Sequence, residues 1–311
     1  MNEAKRLIVV SGPTACGKTS LGIKLAKSFG GEVISADSMQ IYRGIPIATA
    51  QPDEEEMQGI PHLLMGFLDV GTPFSVADYC ELAHKTIAEV TEREALPIMV
   101  GGTGLYIDSV ADDVKFSDCG STELREKLQK ECDLHGIDVL YDRLLKVDPA
   151  AAQKIEKANI RRVIRALEVY EATGIPFSRH VELSRSEPSR YKVTRLNIAF
   201  KDREKLYKRI NDRVDMMFSG GLLGEALAYR DKSSQSGAGQ AIGHKELYSY
   251  IDGEISLEEA AENLKRATRR YAKRQITWFS RNPEAHTLWA DEEDVFLRAK
   301  DILKGEGIPC R

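Results

Sequence analysis

Several kinds of sequence feature are missing from this chain, and each absence narrows its class. The five cysteines are far apart and form no C-x-x-C pair; they are Cys16, Cys80, Cys119, Cys132 and Cys310. This spacing excludes the usual zinc and disulfide frameworks and is typical of reduced thiols in a cytosolic protein. No apolar window is long enough to span a membrane, and the residues after Met1 form no signal-type apolar region. We therefore expect a cytoplasmic protein that does not bind membranes.

The chain also lacks an excess of positive charge. Its 44 Lys and Arg residues against 48 Asp and Glu residues give a net charge of −4 at pH 7. Phosphate binding, however, depends on where cations cluster rather than on their total. A predicted helix that opens with the capping pattern Ser256–Glu259 carries Lys265, Arg266, Arg269, Arg270, Lys273 and Arg274, with no acidic residue after Glu262. Because Trp278 and Phe279 follow directly, this helix favours a surface that faces a polyanion.

The chain does have a phosphate-binding motif near its start. Residues 12–19, Gly-Pro-Thr-Ala-Cys-Gly-Lys-Thr, match G-x-x-x-x-G-K-[ST] between an apolar strand pattern at 7–10 and a helical pattern at 21–26. In that setting backbone N–H groups and a helix N-terminus point at a phosphate. Lys18 supplies a full charge and Thr19 a hydroxyl that can hold Mg²⁺. A glycine-rich turn without a ligand is the alternative, which the context disfavours.

Two further strand patterns end in polar residues. The strand at 32–36 leads into Asp37, and the strand at 96–100 leads into Gly101-Gly-Thr103. Ligands of open α/β sheets bind beyond the carboxyl ends of the strands, so Asp37 and Thr103 are expected to face the same crevice as the phosphate loop. The Gly-Gly-x-Gly turn by itself is equally consistent with packing.

The order of the patterns predicts an α/β fold: a P-loop NTPase-like parallel sheet flanked by helices, with an all-helical insertion domain. Between about Phe116 and Val193 only helical patterns occur, at 122–134, 139–146, 149–157 and 159–173. A strand at 194–200 then returns to the sheet, and helices follow at 203–218 and 291–304. We predict a catalytic core of residues 1–116 and 194–311 and an insertion domain of residues 117–193.

The residues around the phosphate loop narrow the chemistry. Kinases and motor ATPases normally carry a carboxylate beyond a later strand to hold Mg²⁺, but this chain has Gly101-Gly-Thr103 there. What remains is a polyphosphate cradle, the carboxylate of Asp37, the hydroxyl of Thr103, and Arg209 and Arg213 one helical turn apart. With a cationic helix elsewhere, this set suits transfer of a group from pyrophosphate onto something attached to a nucleic acid.

Six blocks of the chain resemble, in order and spacing, the bacterial tRNA dimethylallyltransferases. These blocks lie at 12–19, 37–44, 97–106, 161–168, 241–246 and 273–279. The resemblance implies that the dimethylallyl group of dimethylallyl pyrophosphate moves to the exocyclic N6 amine of the adenosine 3′ adjacent to the anticodon in tRNA, with release of pyrophosphate. It also implies Mg²⁺ as cofactor and contacts between the insertion domain and the tRNA anticodon stem-loop; we expect a monomer.

The roles of individual residues follow from the same resemblance. Asp37 would be the general base, and Thr103 and Arg213 would bind the leaving group, with Arg209 beside them. The donor would be held by Gly12, Pro13, Thr14, Ala15, Cys16, Gly17, Lys18 and Thr19, with Mg²⁺ on Thr19. Besides Asp37 and Thr103, the implied tRNA contacts are Ser38, Met39, Gln40, Arg125, Arg161, Arg162, Val163, Ile164, Arg165, Gln240, Ala241, Ile242, Gly243, His244, Lys245, Lys273, Arg274, Gln275 and Trp278.

The chain departs from the family pattern at two histidines, and three other functions stay open. The family often has paired histidines where this chain has His62-Leu63, and tyrosine is common where His244 stands. One alternative is an enzyme that prenylates free adenine nucleotides, although this would need neither the insertion nor the cationic helix. Another is a small-molecule kinase, which would turn over ATP without RNA. The third is a non-catalytic RNA-binding protein that retains a P-loop.

Overall fold

The computed structural model describes residues 5–116, 120–233 and 242–311. The chain forms two compact units, one of residues 1–111 and 190–311 and a smaller one of residues 112–189. The predicted core ended at residue 116 and resumed at 194, which is five and four residues later than in the structure. No helix in the described part of the chain is both long and apolar enough to cross a membrane.

Six strands form one parallel sheet in the larger unit: β1 (Lys5–Ser11), β2 (Gly31–Ser35), β3 (His62–Leu63), β4 (Leu96–Gly101), β5 (Tyr191–Ala199) and β6 (His286–Trp289). Their order is β3-β2-β4-β1-β5-β6, and every neighbouring pair is parallel. The inner strands are almost wholly buried, because helices cover both faces of a parallel sheet. The predicted α/β class is confirmed.

Helices account for most of the remaining described residues. In chain order they are α1 (Lys18–Phe29), α2 (Pro46–Thr49), α3 (Glu54–Met57), α4 (Val76–Glu92), α5 (Gly104–Ala111), α6 (Thr122–His135), α7 (Ile137–Val147), α8 (Pro149–Ala152), α9 (Ile160–Thr173), α10 (Phe177–Leu183), α11 (Arg203–Ser219), α12 (Leu222–Ser233), α13 (Tyr248–Ile251), α14 (Leu257–Phe279) and α15 (Val295–Gly305). A short 3₁₀ helix spans Lys245–Leu247.

The two faces of the sheet carry separate apolar cores, because side chains alternate along each strand. Ile8 and Val10 of β1 belong to the core that includes Leu25 of α1, whereas Leu7 and Val9 belong to the core that includes Tyr79 of α4. Burying one such aliphatic side chain contributes about 1.5–3 kcal/mol. Both faces of β1 therefore hold its carboxyl end, where the phosphate loop begins.

Among its described residues the smaller unit contains helices joined by turns and loops, and it has its own core around Leu140, Leu144 and Leu167. The predicted helix at 149–157 is too long: α8 ends at Ala152, and α9 starts after Asn159, whose side chain accepts a hydrogen bond from the Arg162 backbone N–H. Helix α10 was not predicted. Its seven residues give too short a pattern to separate a helix from a loop.

Capping residues set several helix starts. Ser75 and Asp78 form a reciprocal capping box at the start of α4, whereas at α14 the Ser256 side chain accepts from the Glu259 backbone N–H. The last helix begins at Val295 rather than 291, because Asp294 caps it by accepting from two backbone N–H groups. Asp291 instead accepts from the backbone of residues 201 and 202.

The loops that matter for function leave the sheet at one edge. Ser11 at the end of β1 pairs with Gly101 of β4, and Ser35 of β2 pairs with Val100 of β4. The loops that begin at Gly12, Ala36 and Gly102 therefore start side by side. Such an edge is where parallel sheets bind ligands.

Candidate active site

The phosphate loop depends on two glycines with left-handed backbone angles. Gly12 has φ of 145°, and a Cβ added there would lie 2.6 Å from the carbonyl oxygen of Ile198. Gly17 has φ of 97° immediately before α1. Only glycine takes these angles without strain. The loop therefore curls tightly into the N-terminus of α1, the position of a phosphate site.

Lys18 lies over this loop in a setting rich in positive charge. Its Nζ donates a hydrogen bond of 2.7 Å to the Pro13 carbonyl, and an ammonium group has three N–H donors. Burial lowers the pKa of Lys18; the Cys16 thiol and the Asp37 carboxylate oppose this shift, and the charge of Arg213 adds to it. A bound anion would favour the charged form.

Helix α11 brings both predicted arginines to the loop. Arg209 Nε donates to the Ala15 carbonyl at 2.9 Å, and Arg213 Nη1 donates to the Thr14 hydroxyl at 3.3 Å. Burial lowers the pKa of Arg213, and the Asp37 carboxylate is the strongest group opposing the shift. Asp37 therefore acts on both cations of the cradle.

Asp37 and Thr103 shape the turn after β2. Asp37 Oδ1 accepts from the Met39 backbone N–H at 2.9 Å. Thr103 Oγ1 accepts from the Ser38 backbone N–H at 2.9 Å and donates to the Ser38 hydroxyl at 3.2 Å. Its own backbone N–H donates to the Ala36 carbonyl. The loop after β4 thus holds the carboxylate-bearing turn in place.

Gln275 of α14 connects these two parts of the site. Its side chain is 5% exposed; Oε1 accepts from the Thr14 backbone N–H at 2.8 Å, and Nε2 donates to the Gly102 carbonyl at 2.9 Å. Both ends of this buried amide bind other parts of the protein, so its side chain has a structural role, and its contact with tRNA stays a prediction. A lone glutamine in a cationic helix gave no signal for this role.

Comparisons with known proteins identify the family to which this chain belongs. The sequence model of the family described as IPP transferase matches residues 40–282. The chain belongs to the IPP transferase family. A tRNA dimethylallyltransferase of Thermoanaerobacter sp. (strain X514) is 48% identical over 281 residues, which cover 89% of each chain. One from Bacillus subtilis (strain 168) is 45% identical over 309 residues, which cover 97% of each.

Two solved structures have similar folds. The full-length tRNA isopentenylpyrophosphate transferase of Bacillus halodurans matches with a TM-score of 0.72 and 41% identity, covering 97% of this chain and 96% of that chain. A eukaryotic dimethylallyltransferase acting on tRNA matches with a TM-score of 0.83 and 30% identity, covering 99% and 81%. The predicted P-loop NTPase-like fold of this IPP transferase family member is confirmed.

The tRNA contacts predicted on α9 fall into two groups. Arg161 and Arg162 are exposed at the start of the helix. Val163 and Ile164 are 0% and 3% exposed and belong to the core of the smaller unit. For these two residues the structure corrects the prediction, because apolar side chains in the core cannot touch RNA. The two exposed arginines stay candidates.

Arg125 and Arg165 share a buried partner. Both form ion pairs with Glu168, whose side chain is fully buried while theirs are about half exposed. The Ser121 backbone N–H also donates to this carboxylate. Burial alone would raise the pKa of Glu168, but hydrogen bonds from Arg125, Ser121 and Arg165 outweigh it and lower the pKa. Part of the task of these arginines is thus structural.

In the predicted tRNA-binding segment 240–245, three of the four described residues are partly or wholly buried. Gln240 and Ala241 lie outside the described residues; Ile242 packs against the core that includes Leu247. The backbone N–H of Gly243 donates to Glu246. His244 is 1% exposed, and its Nε2 lies 2.8 Å from Glu225, which also accepts from two backbone N–H groups at the start of α2. His244 cannot contact tRNA directly, whereas Lys245 is exposed.

The remaining predictions are divided between surface and interior. Lys273, Arg274 and Trp278 are exposed on α14, and Trp278 Nε1 donates to Asp108 at 2.7 Å.

Ser38 and Met39 are half-buried beside Asp37. The Gln40 amide bonds the Ser35 hydroxyl and the carbonyls of residues 49 and 50, so its side chain braces the turn instead of reaching outward. His62 lies in edge strand β3, where burial lowers its pKa.

Proposed function

We propose that this chain transfers the dimethylallyl group of dimethylallyl pyrophosphate to the N6 amine of the adenosine 3′ adjacent to the anticodon in tRNA. One observation carries the assignment: strand pairing starts the phosphate loop, the turn that holds Asp37 and the loop that holds Thr103 side by side, and Arg213 bonds Thr14 of the phosphate loop. A base and a diphosphate cradle thus share one edge of the sheet. The names of the relatives support the same reaction.

The donor half of the reaction needs stabilisation of departing charge. The C1–O bond of the allylic donor breaks, and its electron pair leaves with pyrophosphate. Preorganised donors where negative charge grows are usually the largest catalytic term. Lys18, Arg213 and the backbone N–H groups at the start of α1 are placed to supply it, and Arg209 holds the loop from outside by its bond to Ala15.

The acceptor half needs a base, because the lone pair of an adenine amine is delocalised into the ring. As the N6–C1 bond forms, the amine proton moves to the Asp37 carboxylate. The bond from the Met39 backbone N–H fixes Oδ1, and we assign Oδ2 as the proton acceptor. A positioned general base of this kind contributes about 10²–10⁴-fold.

RNA recognition is assigned to exposed cations. Arg266, Arg270, Lys273 and Arg274 are exposed on α14, and Arg161 and Arg162 are exposed on α9. Such side chains pair with phosphates, while the Trp278 ring offers a stacking surface. A loop adenosine costs little to unstack, so the anticodon stem-loop is the proposed partner.

We also propose Mg²⁺ as cofactor. Thr19 lies half-buried in the first turn of α1, directly after Lys18. Mg²⁺ is usually held by one or two protein oxygens together with substrate phosphates and water, so a single hydroxyl beside a diphosphate cradle fits. When bound, the ion would neutralise charge on the leaving group. We further propose that the enzyme is a cytoplasmic monomer, with its mass in solution measurable by sedimentation.

Mass spectrometry of nucleosides tests the reaction. Purified protein is incubated with Mg²⁺, dimethylallyl pyrophosphate and unmodified tRNA, and the expected product is N6-isopentenyladenosine. Parallel reactions replace tRNA by AMP, or the prenyl donor by ATP. Product from AMP but not tRNA would assign a nucleotide prenyltransferase, and RNA-independent ATP turnover would assign a kinase. Tight tRNA binding without any product would favour a non-catalytic RNA-binding protein.

A further inference from the structure

Helix α14 presents two chemically different faces. Arg266, Arg270 and Lys273 are exposed along one side. Tyr271 and Gln275, one turn apart, lie on the side that packs against the loops of the site. Residues four apart share a helix face. Helix α14 therefore carries both the proposed RNA surface and contacts to the proposed donor site.

The Gln275 amide acts as a clamp between two loops. It holds the backbone N–H of Thr14 in the phosphate loop and the carbonyl of Gly102, which precedes Thr103. The fit is tight, since a Cβ added to Gly102 would lie 2.3 Å from Gln275 Nε2. A shift of α14 would therefore move the phosphate loop relative to the turn after β4.

Tyr271 extends the clamp to the acceptor side. Tyr271 is half-buried one turn before Gln275; burial raises the pKa of its phenol and the Asp37 carboxylate raises it further, while the side chains of Thr103 and Gln275 oppose the shift. The phenol thus stays protonated as a hydrogen-bonding group at neutral pH. Gln275 bonds the Gly102 carbonyl and the Thr14 backbone N–H, and Thr103, which follows Gly102, holds Ser38 beside Asp37, so hydrogen bonds connect α14 with both the base and the phosphate loop.

We propose that Tyr271 and Gln275 are positioning residues that couple RNA binding on the outer face of α14 to diphosphate binding in the phosphate loop. The proposal rests on the function proposed above. RNA that fixes α14 would fix Gln275 and, through it, the Thr14 backbone. Couplings between two sites typically change affinity about 5- to 150-fold, and each ligand must enhance the other equally.

Calorimetric binding of inorganic pyrophosphate with Mg²⁺, with and without saturating anticodon stem-loop RNA, measures this coupling directly. Wild type should bind pyrophosphate at least about 5-fold more tightly with RNA. Gln275→Met and Tyr271→Phe should lose most of that enhancement while RNA affinity in the absence of pyrophosphate stays unchanged. Gln129→Met, on an exposed residue of α6, is the matched control and should keep it.

Three outcomes overturn the proposal. They are an unchanged enhancement in both variants, no enhancement in wild type, or loss of RNA affinity itself in Gln275→Met, which would make Gln275 a direct contact. Should Gln275→Met fail to fold, Tyr271→Phe decides, since it removes a single oxygen. Nucleoside mass spectrometry on the same wild-type sample separates the two proposals: product without enhancement removes the coupling alone, and no product removes the proposed reaction.

Discussion

The edge of the sheet and the core of the smaller unit both bury charge, but in opposite ways. At the sheet edge, burial lowers the pKa of Lys18 and Arg213, and the charge of Arg213 lowers the pKa of Lys18 further. In the smaller unit Glu168 is surrounded by Arg125, Arg165 and the Ser121 backbone N–H, and its pKa is lowered. Folding disfavours the charged form in the first case and favours it in the second.

This difference separates charges that serve a ligand from charges that serve the fold. A buried charge is costly unless it is paired and hydrogen-bonded. Glu168 meets that condition within its own unit, whereas the Asp37 carboxylate is shared by Lys18 and Arg213, and both cations keep a lowered pKa. A diphosphate would supply the missing negative charge. Variants should therefore lose activity at one place and stability at the other.

The largest effect is expected at Asp37. In Asp37→Asn the amide oxygen can still accept from the Met39 backbone N–H, so the turn is kept while the base is lost. We expect kcat to fall about 10²–10⁴-fold, with tRNA affinity and melting temperature unchanged, measured by single-turnover prenylation and filter binding. Asp301→Asn, at an exposed position of α15, is the control. Wild-type kcat in Asp37→Asn would assign the base elsewhere.

Lys18→Met sharpens the contrast between activity and stability. Removing a charge aimed at the leaving group should lower kcat about 10²–10³-fold, yet the free energy of unfolding should not fall, because a desolvated cation is removed. Lys24→Met, on the exposed side of α1, should leave activity unchanged. A marked fall in the free energy of unfolding of Lys18→Met, measured by urea denaturation, would contradict the distinction between charges that serve a ligand and charges that serve the fold.

Glu168→Gln should show the reverse pattern. Loss of the charge-assisted bonds should cost about 1–3 kcal/mol of stability, toward the lower end because both arginines are half exposed. Hydrogen exchange of the backbone amides of α6 to α9 at increasing urea concentrations measures this loss of stability. Glu182→Gln, at an exposed residue, is the control. Since folding lowers the pKa of Glu168 from 4.5, the wild-type advantage is complete above pH 4.5 and is lost as pH falls through the lowered value. An equal deficit at lower pH would contradict this.

Sequence was informative about the fold wherever an element was long. The apolar run of β4 and the periodic patterns of α9 and α11 were predicted close to their observed bounds. Strands β3 and β6 were missed because two and four residues leave too little pattern. Helix α12 was missed because its apolar residues do not form a single stripe.

The site was predictable where position in the fold decides it. Gly12, Lys18, Asp37 and Thr103 follow strand ends, and the sheet order brings strand ends together. The roles of Gln275 and Glu168 were not predictable, because sequence does not tell which face of a helix packs against which loop. The spacing of Tyr271, Gln275 and Trp278 was the available signal, but the neighbouring cations favoured an interpretation of α14 as a binding surface facing outward.

The smallest expected effect is a proton taken up when the cradle binds pyrophosphate. The pKa of Lys18 is lowered from 10.5 by burial, and a bound diphosphate favours the ammonium form. The affinity for pyrophosphate should therefore decline as pH rises through this lowered pKa. When the heat of pyrophosphate binding is measured in two buffers of different ionisation enthalpy, the two heats should differ by more than the protons exchanged by pyrophosphate itself explain. Lys18→Arg, which keeps the charge but does not titrate, supplies that reference. Identical buffer dependence in wild type and Lys18→Arg would show that Lys18 is already fully charged without its ligand, and the contrast with Glu168 would then fail.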